Sequence, residues 1–183
     1  MGSRPALPRP YDLPASGRDG AELRRLIQAF IRISGLLAGD ETPCGHPLAV
    51  SQAHALMALL EAARAAERVT QRDLGRALGI DKSNVARLCR KMEGAGHLVQ
   101  TRSEDDGRAR LLSLTAHGRR LAKNIDRSSR DRFLGLMTAI PRRSRAGVLS
   151  SLACLNQALA SAGPPEKHPG ARQKSIDIDG SRG

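Results

Sequence analysis

The sequence predicts a mainly helical chain with one small two-stranded β hairpin. Three observations carry that prediction. Aromatic residues are nearly absent, with one Tyr, two Phe and no Trp, so the core must be built from Leu, Ala, Ile, Val and Met, which suits packed helices. Apolar residues recur at helical spacing through most of 19–161. One stretch, 98–114, instead alternates apolar and polar residues around an Asp-Gly pair, a tight-turn signal.

Residues 1–18 and 162–183 are rich in Pro, Gly, Ser and charge, and read as a disordered leader and tail. Between them lies a single domain, 19–161. From Asp19 to about Ala38, Leu23, Leu26, Ile27, Phe30, Ile31 and Ile33 recur as on one helix. "GDETPCGHP" breaks that pattern. Ser51 is the expected N-cap of a helix running to about Ala66. Thr70 and Asp73 give an S/T-x-x-D start for a short helix, Gln71 to Leu78, which ends at Gly79. Asp81 caps the next helix, to about Glu93, which Gly94 and Gly96 stop.

In the hairpin, Val99 and Thr101, then Leu112 and Leu114, are expected to face inward. Thr115 opens a long basic helix to about Thr138. Pro141 suits the first turn of a last helix ending near Ser161. Two short helices, a tight Gly turn and a two-stranded ribbon make a winged helix-turn-helix, over about 48–114. The helices at about 19–38 and 115–161 flank it.

The formal net charge is +12, and it is localised. Residues 64–110 carry eleven Lys/Arg against seven Asp/Glu, and residues 118–147 carry nine against two. Such a balance points to a polyanionic partner. No apolar run approaches the roughly 18 residues of a membrane span, and the N-terminus lacks a signal-peptide core. The expected location is the cytoplasm. Three cysteines, an odd count, fit reduced thiols.

The helix "KSNVARLCRKMEG" at 82–94 separates into two faces. Val85, Leu88, Cys89 and Met92 belong to the core, where Leu74, Ala77 and Leu78 of the preceding helix should meet them. Ser83, Asn84, Arg87, Arg90 and Lys91 share the other face. Arg can pair bidentate with guanine and Asn with adenine, while Ser and Lys can hold phosphates. A solvated face is the plain alternative, and the Gly turn, the wing and the local charge favour double-stranded DNA. In the wing, Arg108 and Arg110 lie near the Asp-Gly turn, where an arginine can enter a narrow minor groove. Asp105 or Asp106 would repel phosphate, and makes sense as a brace for an arginine.

The run "TQRDLGRALGIDKSNVARLCRKMEGAGHLVQTRSEDDGRARLLSLTAHGRRL" resembles the MarR-type winged helix-turn-helix transcriptional regulators. The features that carry the likeness are "DLGRALGI", "VARLCRKMEGAGHLV", the wing "RSEDDGRAR" and "LSLTAHG". The resemblance implies an obligate homodimer in which the first, fifth and sixth helices intertwine. It implies a recognition helix at 82–93, a wing arginine at Arg108 and Asp106 as its supporting acid. It also implies a repressor on a pseudo-palindromic operator, released by a small ligand or by oxidation. Independently, the last helix carries Val148, Leu149, Leu152, Leu155 and Leu159, an apolar set that needs cover.

The resemblance also suggests a pocket for a small aromatic effector between the first, second and fifth helices, with Leu37, His54, Met57 and Leu121 in the lining. Cys44, in the loop "TPCGHP", is the redox candidate. Cys44, His46 and His54 form an incomplete metal set, so neither a metal nor a cofactor is expected. Cys89 and Cys154 fall on apolar faces and are expected in the core. No catalytic constellation is present, and the chain reads as not an enzyme. The alternatives are a redox- or metal-responsive switch through Cys44 and a nonspecific architectural DNA-binding protein, which would show salt dependence without site preference.

Overall fold

The computed structural model describes residues 16–37, 41–102 and 109–163, with a division into two units between Leu134 and Gly135. In the first unit, α1 (Gly17–Ile33) begins two residues before the expected Asp19. The cause is a capping box: the Asp19 N–H donates to Ser16 Oγ, and the Ser16 N–H donates to Asp19 Oδ2. The expected leader therefore ends inside a helix. No residue of α1 is buried, and Phe30 is 61 % exposed.

The second helix, α2 (Val50–Arg64), supplies much of the core through Leu56, Leu59 and Leu60. Ser51 is not its cap. The Ala49 carbonyl accepts from the N–H groups of Gln52 and Ala53, so the first turn closes before Ser51, which lies exposed within the helix. At the far end Ala66 takes a positive φ of 55°, letting the Glu67 N–H reach the Ala62 carbonyl.

The helix-turn-helix follows. Strand β1 (Val69–Thr70) leads into α3 (Gln71–Leu78), and Thr70 and Asp73 form the expected capping box. Hydrogen bonds from Thr70 hold the Asp73 carboxyl below the usual carboxylate range. Gly79 ends α3 in the left-handed conformation, and the Ile80 N–H reaches back to the Gly75 carbonyl. Helix α4 (Lys82–Gly94) starts at Asp81 and buries Val85, Leu88, Cys89 and Met92, as expected. Ala77, expected to meet them, is exposed, and Gly75 takes the inner position. A Cβ at Gly75 would lie 3.3 Å from the Ile80 carbonyl oxygen and 3.4 Å from Val85 Cγ1, so the close approach of α3 and α4 favours glycine there.

Strands β2 (Leu98–Arg102) and β3 (Arg110–Leu114) form the hairpin. The ribbon is part of a three-stranded antiparallel sheet, order β1-β3-β2, because Val69 and Thr70 pair with Leu112 and Leu111. In β2 the inward side is Leu98 and Gln100, not Val99 and Thr101. Leu98 leaves the end of α4 directly onto the core, and the two-residue period turns Val99 and Thr101 outward. Leu112 is buried and Leu114 half-buried, as expected.

Helix α5 (Ala116–Ala139) adds Ala122 and Ile125 to the core. Asp126 accepts from Arg64 at 2.9 Å and from Arg130 at 3.1 Å, which ties α5 to the end of α2. These bonds hold its carboxyl below the usual range. In the second unit, α6 (Arg142–Ala162) begins after Pro141, which occupies the N-cap rather than the first turn. Arg145 donates to the carbonyls of Thr138 and Ile140. No residue of α6 is buried, and Cys154, expected in the core, is exposed there.

Two substitutions test this packing. Ala66→Gly should raise stability by about 1 kcal/mol, because the left-handed backbone strains alanine and not glycine. Gly118→Ala should cost at least about 3 kcal/mol, since its Cβ would lie 1.8 Å from the His97 carbonyl oxygen. Urea unfolding of both variants checks the two signs.

Candidate nucleic-acid interface

The candidate interface is built on α4. The Asp81 carboxylate starts the helix by accepting from the N–H groups of Ser83 and Asn84, both at 2.9 Å. Its other oxygen accepts from Asn84 Nδ2 at 2.8 Å. That bond fixes the Asn84 amide and leaves Oδ1 and the second Nδ2–H for a base edge. With the core residues pointing inward, the period of the helix places Ser83, Asn84, Arg87, Arg90 and Lys91 outward, and all are exposed. Lys82, Ser83, Ala86, Arg87 and Arg90 line an open hollow of about 500 Å³.

Among the described residues, none of Lys82, Arg87, Arg90 and Lys91 forms an ion pair. Cations left without internal partners on one helix face keep their full field for an outside anion. The wing adds two more. Arg110 lies at the start of β3, and its register partner is Arg102, so two exposed arginines sit side by side across the strands. Like charges placed opposite each other disfavour pairing unless an anion lies between or beside them. Arg102 was not among the expected contacts, and only the hairpin register pairs it with Arg110. Arg108 and Asp106, with the Asp-Gly turn, lie outside the described residues.

The joint between α4, the wing and α5 is closely packed. Gly96 has a φ of 71°, and the His97 N–H donates to the Met92 carbonyl, ending α4. The Thr115 hydroxyl donates to the Gly96 carbonyl at 2.6 Å, and the Thr115 N–H donates to the His97 carbonyl at 3.1 Å. The His97 ring is buried and stacks on His117 at 5.3 Å between centroids, with Nδ1 unpartnered. Burial, and then the nearby His117, hold the His97 pKa below the usual imidazole value.

The other sequence candidates differ in burial. Met57 and Leu121 are half-buried against the core, while His54 and Leu37 are exposed. A second hollow of about 270 Å³ is lined by Ala63, Val69, Ser113, Leu114 and Arg119 among others, and by none of those four. Cys44 is half-buried, its Sγ 3.2 Å from Thr42 Oγ1. Burial, with the charge of Glu93, pushes the Cys89 thiol up to about 11. Among the described residues, no three His, Cys, Asp or Glu side chains group as metal ligands. Among the same residues, no helix is long and apolar enough to cross a membrane.

This arrangement of α3, α4 and the β2–β3 ribbon defines a winged helix-turn-helix protein. Residues 46–109 match the model of the MarR family. Streptococcus pneumoniae FabT in complex with DNA superposes with a TM-score of 0.61 at 20% identity, over 79% of this chain and 97% of that one. The S. aureus MepR–DNA complex gives 0.58 at 19% identity, over 76% and 96%. The PcaV transcriptional regulator from Streptomyces coelicolor, in complex with its natural ligand, gives 0.55 at 23% identity, over 80% and 99%. No curated protein sequence matches the chain. Over residues 46–109 the chain thus matches the MarR family model, and its fold is shared with these solved structures.

The His97 environment has a consequence for stability. A histidine whose folded pKa is lowered binds fewer protons folded than unfolded near its ordinary value. Its contribution is therefore complete above the unfolded pKa and is lost as pH falls through the folded one. Melting temperature should drop between about pH 7.5 and about pH 5.5, on either side of the ordinary imidazole value, and His97→Gln should flatten part of that drop. Thermal melts of both proteins across that range read the difference.

Proposed function

We propose that the protein is a sequence-specific DNA-binding transcriptional regulator, a repressor that acts as a homodimer on a pseudo-palindromic operator and is released by a small ligand. The observation that carries this reading is the outward face of α4. Among the described residues, Arg87, Arg90 and Lys91 stand there without ion pairs, beside an Asn84 amide held in one orientation by Asp81. Fixed side chains on a helix can read base edges, and unneutralised cations can replace the counterions of phosphates. The wing arginines Arg102, Arg108 and Arg110 extend the grip to the neighbouring groove or backbone. The DNA complexes of FabT and MepR support the partner, and the ligand complex of PcaV supports an effector.

The homodimer is supported by apolar helix faces with nothing over them. Leu23, Leu26, Phe30 and Ile33 on α1 are exposed, as are Leu149, Leu152 and Leu159 on α6. A twofold dimer would set two recognition helices about one DNA turn, roughly 34–36 Å, apart. A protein of this kind acts in the cytoplasm and needs no catalytic centre.

The test is selection from a random DNA library, followed by titration of the selected duplex with excess unrelated DNA at two salt concentrations. A discrete complex that survives competitor supports the reading. Binding that competitor removes at both salt concentrations overturns it in favour of a nonspecific DNA protein. On the selected site, Asn84→Ala and Arg87→Ala should each relax discrimination at particular base pairs by about 1–3 kcal/mol. Arg108→Ala should weaken all sequences and lower the salt dependence by about one counterion. Equal losses on every sequence for the α4 variants would reassign those residues to phosphates.

A further inference from the structure

The recognition helix carries one acid in its last turn, Glu93, next to the basic face it should weaken. Its carboxylate is used in full. Oε1 accepts from the backbone N–H of Gln100 at 3.0 Å, and Oε2 accepts from Gln100 Nε2 at 2.7 Å. The Gln100 side-chain oxygen in turn accepts from Gln71 Nε2. Gln71 is the first residue of α3 and Gln100 the middle of β2. One chain of hydrogen bonds therefore joins α4, the wing and α3.

The sheet order explains why the strand can be held this way. With β3 in the centre, β2 is an edge strand, and the N–H groups on its outer side have no strand partner. Glu93 takes one of them at Gln100. Two residues further along the same strand is Arg102, whose register partner is Arg110. A strand held only by its hairpin partner is free to twist as a ribbon. Pinned at Gln100, it carries the Arg102–Arg110 pair at a fixed offset from Arg87, Arg90 and Lys91.

We propose that Glu93, through Gln100, is a positioning residue for DNA binding: it sets the pitch of the wing against the recognition helix so that the two cationic groups meet one duplex together. This rests on the DNA-binding reading above. The carboxylate itself repels phosphate, so a role through charge and a role through position predict opposite signs. If only its charge mattered, Glu93→Gln would bind DNA more tightly. If it positions the wing, the same variant binds less tightly, because an amide puts an NH2 donor where one of the two accepting oxygens stood, opposite a Gln100 N–H.

The experiment measures operator affinity by fluorescence anisotropy, at two salt concentrations, for wild type, E93Q, Q100A, R110A and the doubles E93Q/R110A and Q100A/R110A. Thermal melts establish that each is folded. E93Q and Q100A should each weaken binding about fivefold in the wild-type background and less than about twofold when Arg110 is already alanine, because the pin then has less to place. The salt slope of E93Q should fall by about one, as for a lost phosphate contact. Equal or tighter binding by E93Q, or losses that add fully to that of R110A, would overturn the positioning role while leaving the DNA-binding reading intact. Wild type without selective DNA binding would instead remove the reading itself, and the positioning role with it.

Discussion

The contact on which the winged unit depends is where the backbone of His97 meets the start of α5. Gly118 lies so close to the His97 carbonyl that no side chain fits between them. Thr115 bonds to the carbonyls of Gly96 and His97 and caps its own helix by accepting from the Gly118 N–H. Three elements leave from this point. Helix α4 ends there through Gly96, the outer wing strand begins there at Leu98, and α5 starts one residue after Thr115. Their relative directions are therefore fixed by short hydrogen bonds to the backbone rather than by apolar packing alone, which tolerates more displacement.

A fixed joint at the base leaves the far end of the wing to be placed. Around α4, charge is divided accordingly. The core face is neutral, the outward face is cationic, and Asp81 and Glu93 stand at the two ends of the helix. Each acid is engaged in hydrogen bonds: Asp81 to the first turn and Asn84, Glu93 to Gln100. The acids shape the surface, and among the described residues the cations of the outward face form no ion pair. This is the arrangement expected where a polyanion supplies the missing countercharge.

Much of this was legible because it is local. The capping box at Thr70, the cap at Asp81 and the buried stripe of α4 need only neighbours within a turn or two, and sequence spacing records those. What failed depended on distant partners. Strand β1 is two residues long and exists only because β3 runs beside it. The inward side of β2 was misread because it is decided by where Leu98 lands, not by which residues look apolar. Gly75 replaced Ala77 in the helix crossing because of the carbonyl of Ile80, which no periodicity reveals. In the candidate site, the α4 residues were readable as a helical face. Arg102 was not, since its pairing with Arg110 needs the register, and the Glu93–Gln100–Gln71 chain joins residues up to 29 apart in sequence.

The remaining apolar surface bears on how such a protein would bind. Neither α1 nor α6 buries a single residue within this chain, yet both are regular helices with apolar stripes. In proteins most helical stability comes from packing an apolar face rather than from intrinsic propensity. On the homodimer reading, the partner supplies that packing, and folding of these helices is coupled to protomer concentration. The same faces would then fix the spacing of the two recognition helices, because no other part of the reading relates one copy of α4 to the next. A ligand that altered how these helices pack would change that spacing without touching α4, so release from DNA would require no contact between effector and recognition surface.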